Sequence, residues 1–368
     1  MNNKTKKRVF VNAVSAYTCV GDTEALVEAM YTGKTGIEYS DVIPDKRVSL
    51  GSFETLSFFE ALEFVCDDIL KSISCNDFSK VLLLVGSSVG GMPRSEEHFF
   101  RDKSYENIKP QEHVIQSIGS YLKDKYNFTD ARSYSTACTS SSNALMMAKR
   151  LLEVGAYKSI LVIGADALCK TTIFGFNSLS ILSNEPCKPF DKDRDGMNVS
   201  EGVGALFLES CSTENSIEFL GAAGSSDAYH ITNPDPSSIA AISAMERALI
   251  DASLKAEKID YINAHGTGTQ ANDAAEANAM NQLFEHKPFV SSTKGITGHT
   301  LGAAGAIEAV VSVEALRRQK LPINVNCKNK ESDINIVITA KEIDIKYVMS
   351  NSFAFGGNNT SLIFGKLA

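Results

Sequence analysis

No stretch of the chain approaches the roughly 18 consecutive apolar residues of a membrane span. The best runs, residues 81–85 and 160–163, stop at Gly86 and Gly164. The basic opening MNNKTKKRVFVNAV is interrupted by Asn12 and lacks a small-residue cleavage site, which argues against a signal peptide. Paired cysteines are missing too: Cys19, Cys66, Cys75, Cys138, Cys169, Cys187, Cys211 and Cys327 contain no CxxC and have no His at zinc-ligand spacing. A disulfide scaffold and a structural zinc are therefore excluded, and reduced thiols imply a cytoplasmic protein. Nor is positive charge in excess. Thirty-six Lys and Arg against 44 Asp and Glu give −8, which opposes a general attraction to nucleic acid or anionic membrane. Low-complexity tracts and Pro/Gly/Ser linkers are absent.

What is present suits a folded globular protein of one large or two smaller domains: 368 residues, 43% hydrophobic and 22% charged. Short β-branched runs alternate with segments of helical period. VFVNAV at 9–14 is followed by a helix near 24–32, the strand KVLLLVGSS, a helix near 111–125 and the strand ILVIGADAL. Continuously apolar strands such as 81–85 belong inside a sheet covered by helices on both faces, so the fold class is layered α/β. A second series starts at IEFLGAAG, with helices expected over 239–252, 273–284 and 301–318, strands at IDYINAH and PFVSSTKG, and closing strands at 346–352 and 360–364. The two series look alike. In each, an extended segment enters a polar loop carrying Cys138 or His299 and then a helix of small and apolar residues. The expected division is residues 1–212 and 213–368, packed as one body.

In STACTSSSNALMMAKRLLEVG, apolar positions 144, 145, 148, 151 and 152 mark a helix face that starts just after Cys138 and stops at Gly155. A thiol at a helix N-terminus is expected to have its pKa lowered from roughly 8.5, which makes a nucleophile. His265 in INAHGTGTQAND and His299 in TKGITGHTLGAAG each end a strand-like run in a Gly/Thr loop before a helix, so one Cys and two His are expected to converge. Glu308 lies on a helix otherwise built of Ala, Gly, Ile and Val, where it needs a cationic partner: Lys294 or a bound metal cation. Gly356 and Gly357 in NSFAFGGNN suit a loop that offers N–H groups to an oxyanion.

Three further motifs compete. DKDRDG at 191–196 imitates a calcium loop, but its twelfth position is Gly202 and strands flank it. GTGTQA at 266–271 satisfies a dinucleotide fingerprint, yet His265 directly precedes it. GSSVG at 86–90 offers Ser88 as a hydrolase nucleophile, with no HGGG oxyanion loop before it and with Cys138 and the histidines left idle.

Together these segments resemble the β-ketoacyl-acyl carrier protein synthases of the thiolase superfamily, type I/II ketosynthases and KAS II-like in particular, over nearly the whole chain. TACTSSSNA is similar to the nucleophile segment, AHGTGT and KGITGH to the histidine segments, PFDKDRDGMNVSEGVGALFLE to the linking segment, SSDAYHIT to a pocket segment and NSFAFGGNN to the gating loop. The resemblance implies two pseudo-duplicated α/β halves in five αβαβα layers and a cytoplasmic dimer, either a homodimer or a heterodimer with a related ketosynthase-like subunit. It implies that Cys138 takes an acyl chain from an acyl carrier protein, with the Cys138 and Phe355 amides as oxyanion hole. His265 and His299 would hold the malonyl thioester carbonyl through decarboxylation. Thr267, Thr269 and Thr232 would grip the pantetheine, and Phe353 and Phe355 would gate. Lys294, Asp273 and Glu308 would form a support network. No cofactor is required; a structural Na+ or K+ would lie at Asn263, Glu308, Ser350 and Asn351.

Two histidines argue against the initiating condensing enzymes, which pair Cys with His and Asn. Cys138 argues against the idle chain-length factor, and Cys327 lacks the context of a thiolase's second cysteine. This sequence departs from the pattern at Ala354, Asn358 and Asn272, where Gly, Thr and Gly are usual, and the stretch from Gly36 to Gly86 is short. A stiffened gate and a specialised pathway such as aryl polyene or polyketide assembly, as well as fatty acid synthesis, are consistent with this. A non-catalytic or partner-dependent subunit is the alternative reading, and the Ser88 hydrolase the more remote one.

Overall fold

The computed structural model describes residues 6–73 and 78–367; the first five residues of the basic opening and Cys75 lie outside them. The elements that position the site are β1 (Phe10–Thr18), α1 (Phe58–Ser72), β2 (Leu82–Gly86), α2 (Gln116–Tyr126), β3 (Asp130–Tyr134), α3 (Ser140–Glu153), β4 (Ser159–Asp166), α4 (Lys170–Ser178) and β5 (Gly202–Glu209). After them come β6 (Ile217–Ser226), α5 (Ile239–Asp251), β7 (Tyr261–Asn263), α6 (Gln270–Leu283), β8 (Phe289–Ser291), α7 (Ala304–Arg318), β9 (Tyr347–Phe353) and β10 (Asn358–Lys366).

The strands form one hydrogen-bonded path, and its two parts repeat one another: β3-β2-β4-β5-β1 is joined to β6-β10-β9-β7-β8. In each part the first three strands in space, β3, β2 and β4 or β8, β7 and β9, are parallel, and the last two are antiparallel. The two strand series are joined through β1 and β6, where Phe10 pairs with Glu218 and Val11 with Ile217.

Side-chain alternation along these strands builds the layers. Leu82 and Leu84, Ile160 and Val162, Leu206 and Leu208 point inward to a core shared with α3, α7, Val348, Leu362 and Phe364. Their neighbours Leu83 and Val85, Leu161 and Ile163, Ala205 and Phe207 point outward to α1 and α2. On the other part, Met349 and Ile363 face α5 and α6. The result is the expected order of helices, sheet, helices, sheet, helices, with α3 and α7 in the middle layer. That layer must be thin. A Cβ on Gly305 of α7 would stand 1.9 Å from Ser142 Oγ of α3, and one on Gly86 would stand 2.3 Å from Ser141 Cα, so the small residues of both helices are required by close approach.

The periodic reading located most of these elements within a few residues. It read one helix over 111–125, where the structure has a single turn at Pro110–His113 followed by α2. It passed over α1, although Ser57 and Glu60 form a reciprocal capping box there, and over the half-exposed hairpin Glu38–Ile43 and Lys46–Leu50 within the short stretch after Gly36. None of the described helices is long and apolar enough to cross a membrane.

Candidate active site

Cys138 follows β3 and precedes α3 in a turn held by hydroxyl groups. Ala137 is left-handed, with φ 52°, a conformation that costs a residue with a Cβ of order 1–3 kcal/mol unless its surroundings enforce it. Here they do. The Ala137 carbonyl accepts from Ser140 Oγ at 2.6 Å and Ser88 Oγ at 2.9 Å, Ser140 Oγ accepts from the Thr136 amide at 2.9 Å, and Thr139 Oγ1 donates to the Thr136 carbonyl at 2.7 Å. The hydroxyl-rich TSSS run is thus what displays the cysteine. Gly155, with φ 72°, ends the helix as expected.

The half-buried Cys138 Sγ lies 3.0 Å from His299 Nε2. The His265 and His299 rings meet edge to face with centroids 5.3 Å apart, and the sulfur and one nitrogen of each ring all lie within 4.8 Å of one another. The expected convergence of one Cys and two His is observed, at the C-terminal ends of the parallel strands. The expected lowering of the thiol pKa is not. Burial pushes Cys138 up to about 12; Lys294 opposes this, and Asp166 and Glu308 add to it. The dipole argument neglected desolvation, which dominates here. Burial, with the Lys294 charge behind it, also holds both histidines well below the usual imidazole value, so they are neutral.

Lys294 and Glu308, each almost fully buried, form an ion pair. Lys294 Nζ also donates to the His265 carbonyl at 2.6 Å and lies 3.3 Å from His265 Nδ1. Burial raises Glu308 to about 7 against the pull of Lys294. Asp273, grouped with this pair in the sequence reading, serves a different segment. It accepts from the Phe190 amide at 2.8 Å and the Gly268 amide at 3.2 Å, and Arg194 Nε stands 3.9 Å away. It therefore fixes the 266–269 loop rather than Lys294. The carboxylate that the sequence reading missed is Glu276, which accepts the His265 and Gly266 amides at 2.8 Å each and is raised by burial to about 7. A buried Glu among the alanines of α6, three residues after Asp273, carries a weaker form of the signal that exposed Glu308.

A cavity of about 460 Å³ opens onto these groups, lined by Cys138, both histidines, Thr232, Thr267, Thr269, Phe353 and Phe355. Thr267 and Thr269 share a hydroxyl contact of 2.9 Å. Phe355 stands 6.2 Å, centroid to centroid, from Phe176 of α4, a wall residue that the sequence reading did not single out. The Gly356 amide donates to the Ile231 carbonyl at 2.8 Å and the Asp227 amide to the Gly357 carbonyl at 2.7 Å, which ties the loop after β9 to the 227–233 segment.

Behind the histidines, Asn263 Oδ1, Glu308 Oε2 and Ser350 Oγ are buried without a hydrogen-bond partner among the described residues. Asn263 and Ser350 are paired across β7 and β9. Asn351 Nδ2 lies 3.5 Å from Glu276 Oε1, and Asn351 Oδ1 accepts from Ser361. Three buried orphan oxygens, two of them on residues paired across neighbouring strands, fit an oxygen-liganded cation.

The competing motifs are otherwise engaged. Asp191 accepts three backbone amides, from Lys328, Asn329 and Asp193. The Gly266 and Gly268 amides of the GTGTQA loop face Glu276 and Asp273, which leaves no room for a pyrophosphate. Ser88 Oγ donates to the Ala137 carbonyl instead of to a histidine.

Known proteins place the whole arrangement. Sequence-family models described as the β-ketoacyl synthase N-terminal and C-terminal domains match residues 74–214 and 217–328. The chain is 32% identical to a 3-oxoacyl-[acyl-carrier-protein] synthase 2 of Synechocystis over the full length of both, and 32% identical to one of Coxiella burnetii over 98% of this chain and 99% of that one. It superposes with a TM-score of 0.89 and 30% identity on a solved chain described as a ketosynthase in complex with its chain length factor from Xenorhabdus doucetiae, with 98% of each chain covered. A chain described as a β-ketoacyl synthase from Burkholderia phymatum gives 0.89 at 26% identity over 98% of this chain. The chain belongs to the β-ketoacyl synthase family of condensing acyltransferases.

Proposed function

We propose that the protein is a 3-oxoacyl-[acyl-carrier-protein] synthase that holds its acyl chain on Cys138. The observation that carries this reading is the 3.0 Å contact between a thiol and a neutral histidine at the cavity floor, with a second neutral histidine beside it. Because burial keeps Cys138 protonated, attack on the acyl-thioester carbonyl is coupled to proton transfer from Sγ to His299 Nε2. The Cys138 and Phe355 amides stabilise the tetrahedral oxyanion. The carrier-protein thiolate leaves and takes that proton, which returns His299 to its neutral form.

Malonyl carrier protein then enters, its pantetheine held along Thr232, Thr267 and Thr269. His265 and, once its single ring proton has moved from Nδ1 to Nε2, His299 donate to the thioester oxygen; carbon dioxide departs, and the enolate carbon attacks the acyl carbonyl. The C–S bond to Cys138 breaks as the new C–C bond forms, and the departing thiolate takes a proton from solvent, which regenerates the thiol. Lys294 keeps His265 neutral and oriented, Glu308 balances Lys294, and Phe353 and Phe355 control access. Asn263, Glu308 and Ser350, with Asn351 beside them, would hold a structural Na+ or K+, which would supply rigidity rather than chemistry.

The partner is an acyl carrier protein, and the site lies in the cytoplasm, where the free state of all seven described cysteines is at home. Similarity to a chain solved beside a chain length factor supports a second reading, in which the chain acts in polyene or polyketide elongation beside a related subunit rather than as a homodimer. Intact-mass measurement after incubation with a panel of acyl carrier proteins tests both. An adduct that vanishes in Cys138→Ala is expected. No adduct with any donor, alone or with a co-expressed ketosynthase-like subunit, sinks the acyl-cysteine reading.

A further inference from the structure

Asp166 ends β4 and is fully buried, yet it forms no ion pair among the described residues. Its carboxylate collects donors from two separate turns. The Ser87 hydroxyl, the Ser88 amide at 2.9 Å and the Val89 amide at 3.0 Å come from the turn after β2; the Gly302 amide, at 2.6 Å, comes from the turn three residues after His299. The first turn continues toward the nucleophile, because Ser88 Oγ donates at 2.9 Å to the carbonyl of left-handed Ala137. The second leads back to His299. The two turns are in such close contact that a Cβ on Gly302 would lie 2.7 Å from the Ser88 nitrogen and 2.8 Å from Asp166 Oδ2.

A carboxylate surrounded only by neutral donors costs more to bury than an amide or hydroxyl would. What it provides is an acceptor with four lone-pair directions, enough to hold both turns at once. We propose that Asp166 is a positioning residue for the condensation: its carboxylate fastens the Ser87–Val89 turn to the Gly302 turn and so fixes the approach of Cys138 to His299. Neither the substrate nor the reacting atoms touch it. The inference rests on the acyl-cysteine reading, but one of its readouts does not.

That readout is alkylation of Cys138 by iodoacetamide as a function of pH, which reports the thiol and its surroundings without any acyl donor. The Asp166 charge adds to the upward displacement of the thiol, so in Asp166→Asn half-maximal alkylation is expected at lower pH than in the wild type. The mutant amide offers one acceptor oxygen where four donors converge, the turns part, and acylation of Cys138 from a carrier protein is expected to slow about tenfold or more. Circular dichroism establishes that the variant is folded. Ser88→Ala cuts the same relay one link further on by deleting a single half-buried hydroxyl, and is expected to slow acylation several-fold with the alkylation profile unmoved. Folded Asp166→Asn with wild-type acylation and an unmoved alkylation profile overturns the proposal. If Asp166→Asn does not fold, wild-type acylation in Ser88→Ala overturns it. Should the acylation assay give no adduct even in the wild type, the acyl-cysteine reading fails, while the alkylation profiles still report whether Asp166 governs the thiol.

Discussion

Cys138 and His299 occupy equivalent places in the two halves of the sheet, each in the loop after the third strand and before the middle-layer helix, yet the loops are built from different materials. Both contain a left-handed residue with a Cβ, Ala137 at φ 52° and Leu301 at φ 53°. The Cys138 turn is held by neutral hydroxyls: Ser88, Thr139 and Ser140. The histidine loops are held by buried charge: the His265 loop by Lys294 on its carbonyl, Glu308 on Lys294 and Glu276 on the His265 and Gly266 amides, and the His299 loop by Asp166 on the Gly302 amide. The division follows the chemistry. A thiol that acquires and loses a neutral acyl group needs accurate placement, whereas groups that meet an enolate need a fixed field that does not reorganise as charge develops.

Breaking the charged side should do the most damage. Lys294→Ala leaves Glu308 buried without its partner, at a cost of about 3–5 kcal/mol, and removes the fixed charge beside His265. Condensation is expected to fall by roughly a hundredfold to a thousandfold, read as 3-oxoacyl product formed from preloaded acyl enzyme. Lys294 also works against the upward displacement of the thiol, so its removal moves the pKa further up and iodoacetamide alkylation shifts to higher pH. A shift to lower pH would contradict that sign.

Glu276→Gln sharpens the contrast. The variant keeps the shape but weakens two charge-assisted bonds to backbone amides, each worth about 1.5–3 kcal/mol. Malonyl decarboxylation, which the proposed mechanism assigns to His265, should slow, while acylation of Cys138 from a carrier protein stays near the wild-type rate. Equal loss in both half-reactions would mean that the two loops are not separable. The converse variant is Ser140→Ala, which removes one strut from the Ala137 carbonyl and leaves the Thr136 amide without its acceptor, for about 1–2 kcal/mol. Acylation should fall about tenfold, with decarboxylation of malonyl carrier protein retained.

The same contrast explains what the sequence could reveal. Apolar alternation displayed the strands of both halves, and the pairing of reactive residues with small-residue helices displayed Cys138, His265 and His299, because close-packed helices and catalytic loops leave a compositional trace. Glu308 was legible because a carboxylate among alanines needs a partner. Glu276 follows the same rule less clearly, because α6 also carries Asp273 one turn earlier. Asp166 leaves no such trace: in GADAL it looks like any strand-ending acid, and its partners come from 77 to 136 positions away in sequence. The thiol pKa was misjudged for a related reason. Helix N-termini are visible in sequence, whereas the burial that outweighs their dipole is a property of the assembled layers.

The smallest effect lies at Ala354, where the chain departs from the glycine usual at this position. Of the residues in the turn after β9, Gly356 and Gly357 have φ of 80° and 77°. A Cβ on Gly357 would meet the Asp227 carbonyl oxygen at 1.8 Å, whereas one on Gly356 would meet nothing within 4 Å. Ala354 needs no such freedom: its backbone φ is not positive, its amide donates to the Asn358 carbonyl at 2.8 Å, and its carbonyl accepts from Gly357 at 3.1 Å. Its methyl therefore costs nothing in the closed loop and removes backbone states that an open loop would use. Ala354→Gly should lower stability by about 0.4–1 kcal/mol through the unfolded chain, a shift in melting temperature of only a few degrees. Under the gating role proposed for Phe355, it should also raise the acylation rate for long acyl chains while leaving short chains unaffected. Equal acceleration for every chain length would assign the stiffness to a step other than passage of the acyl group past Phe355.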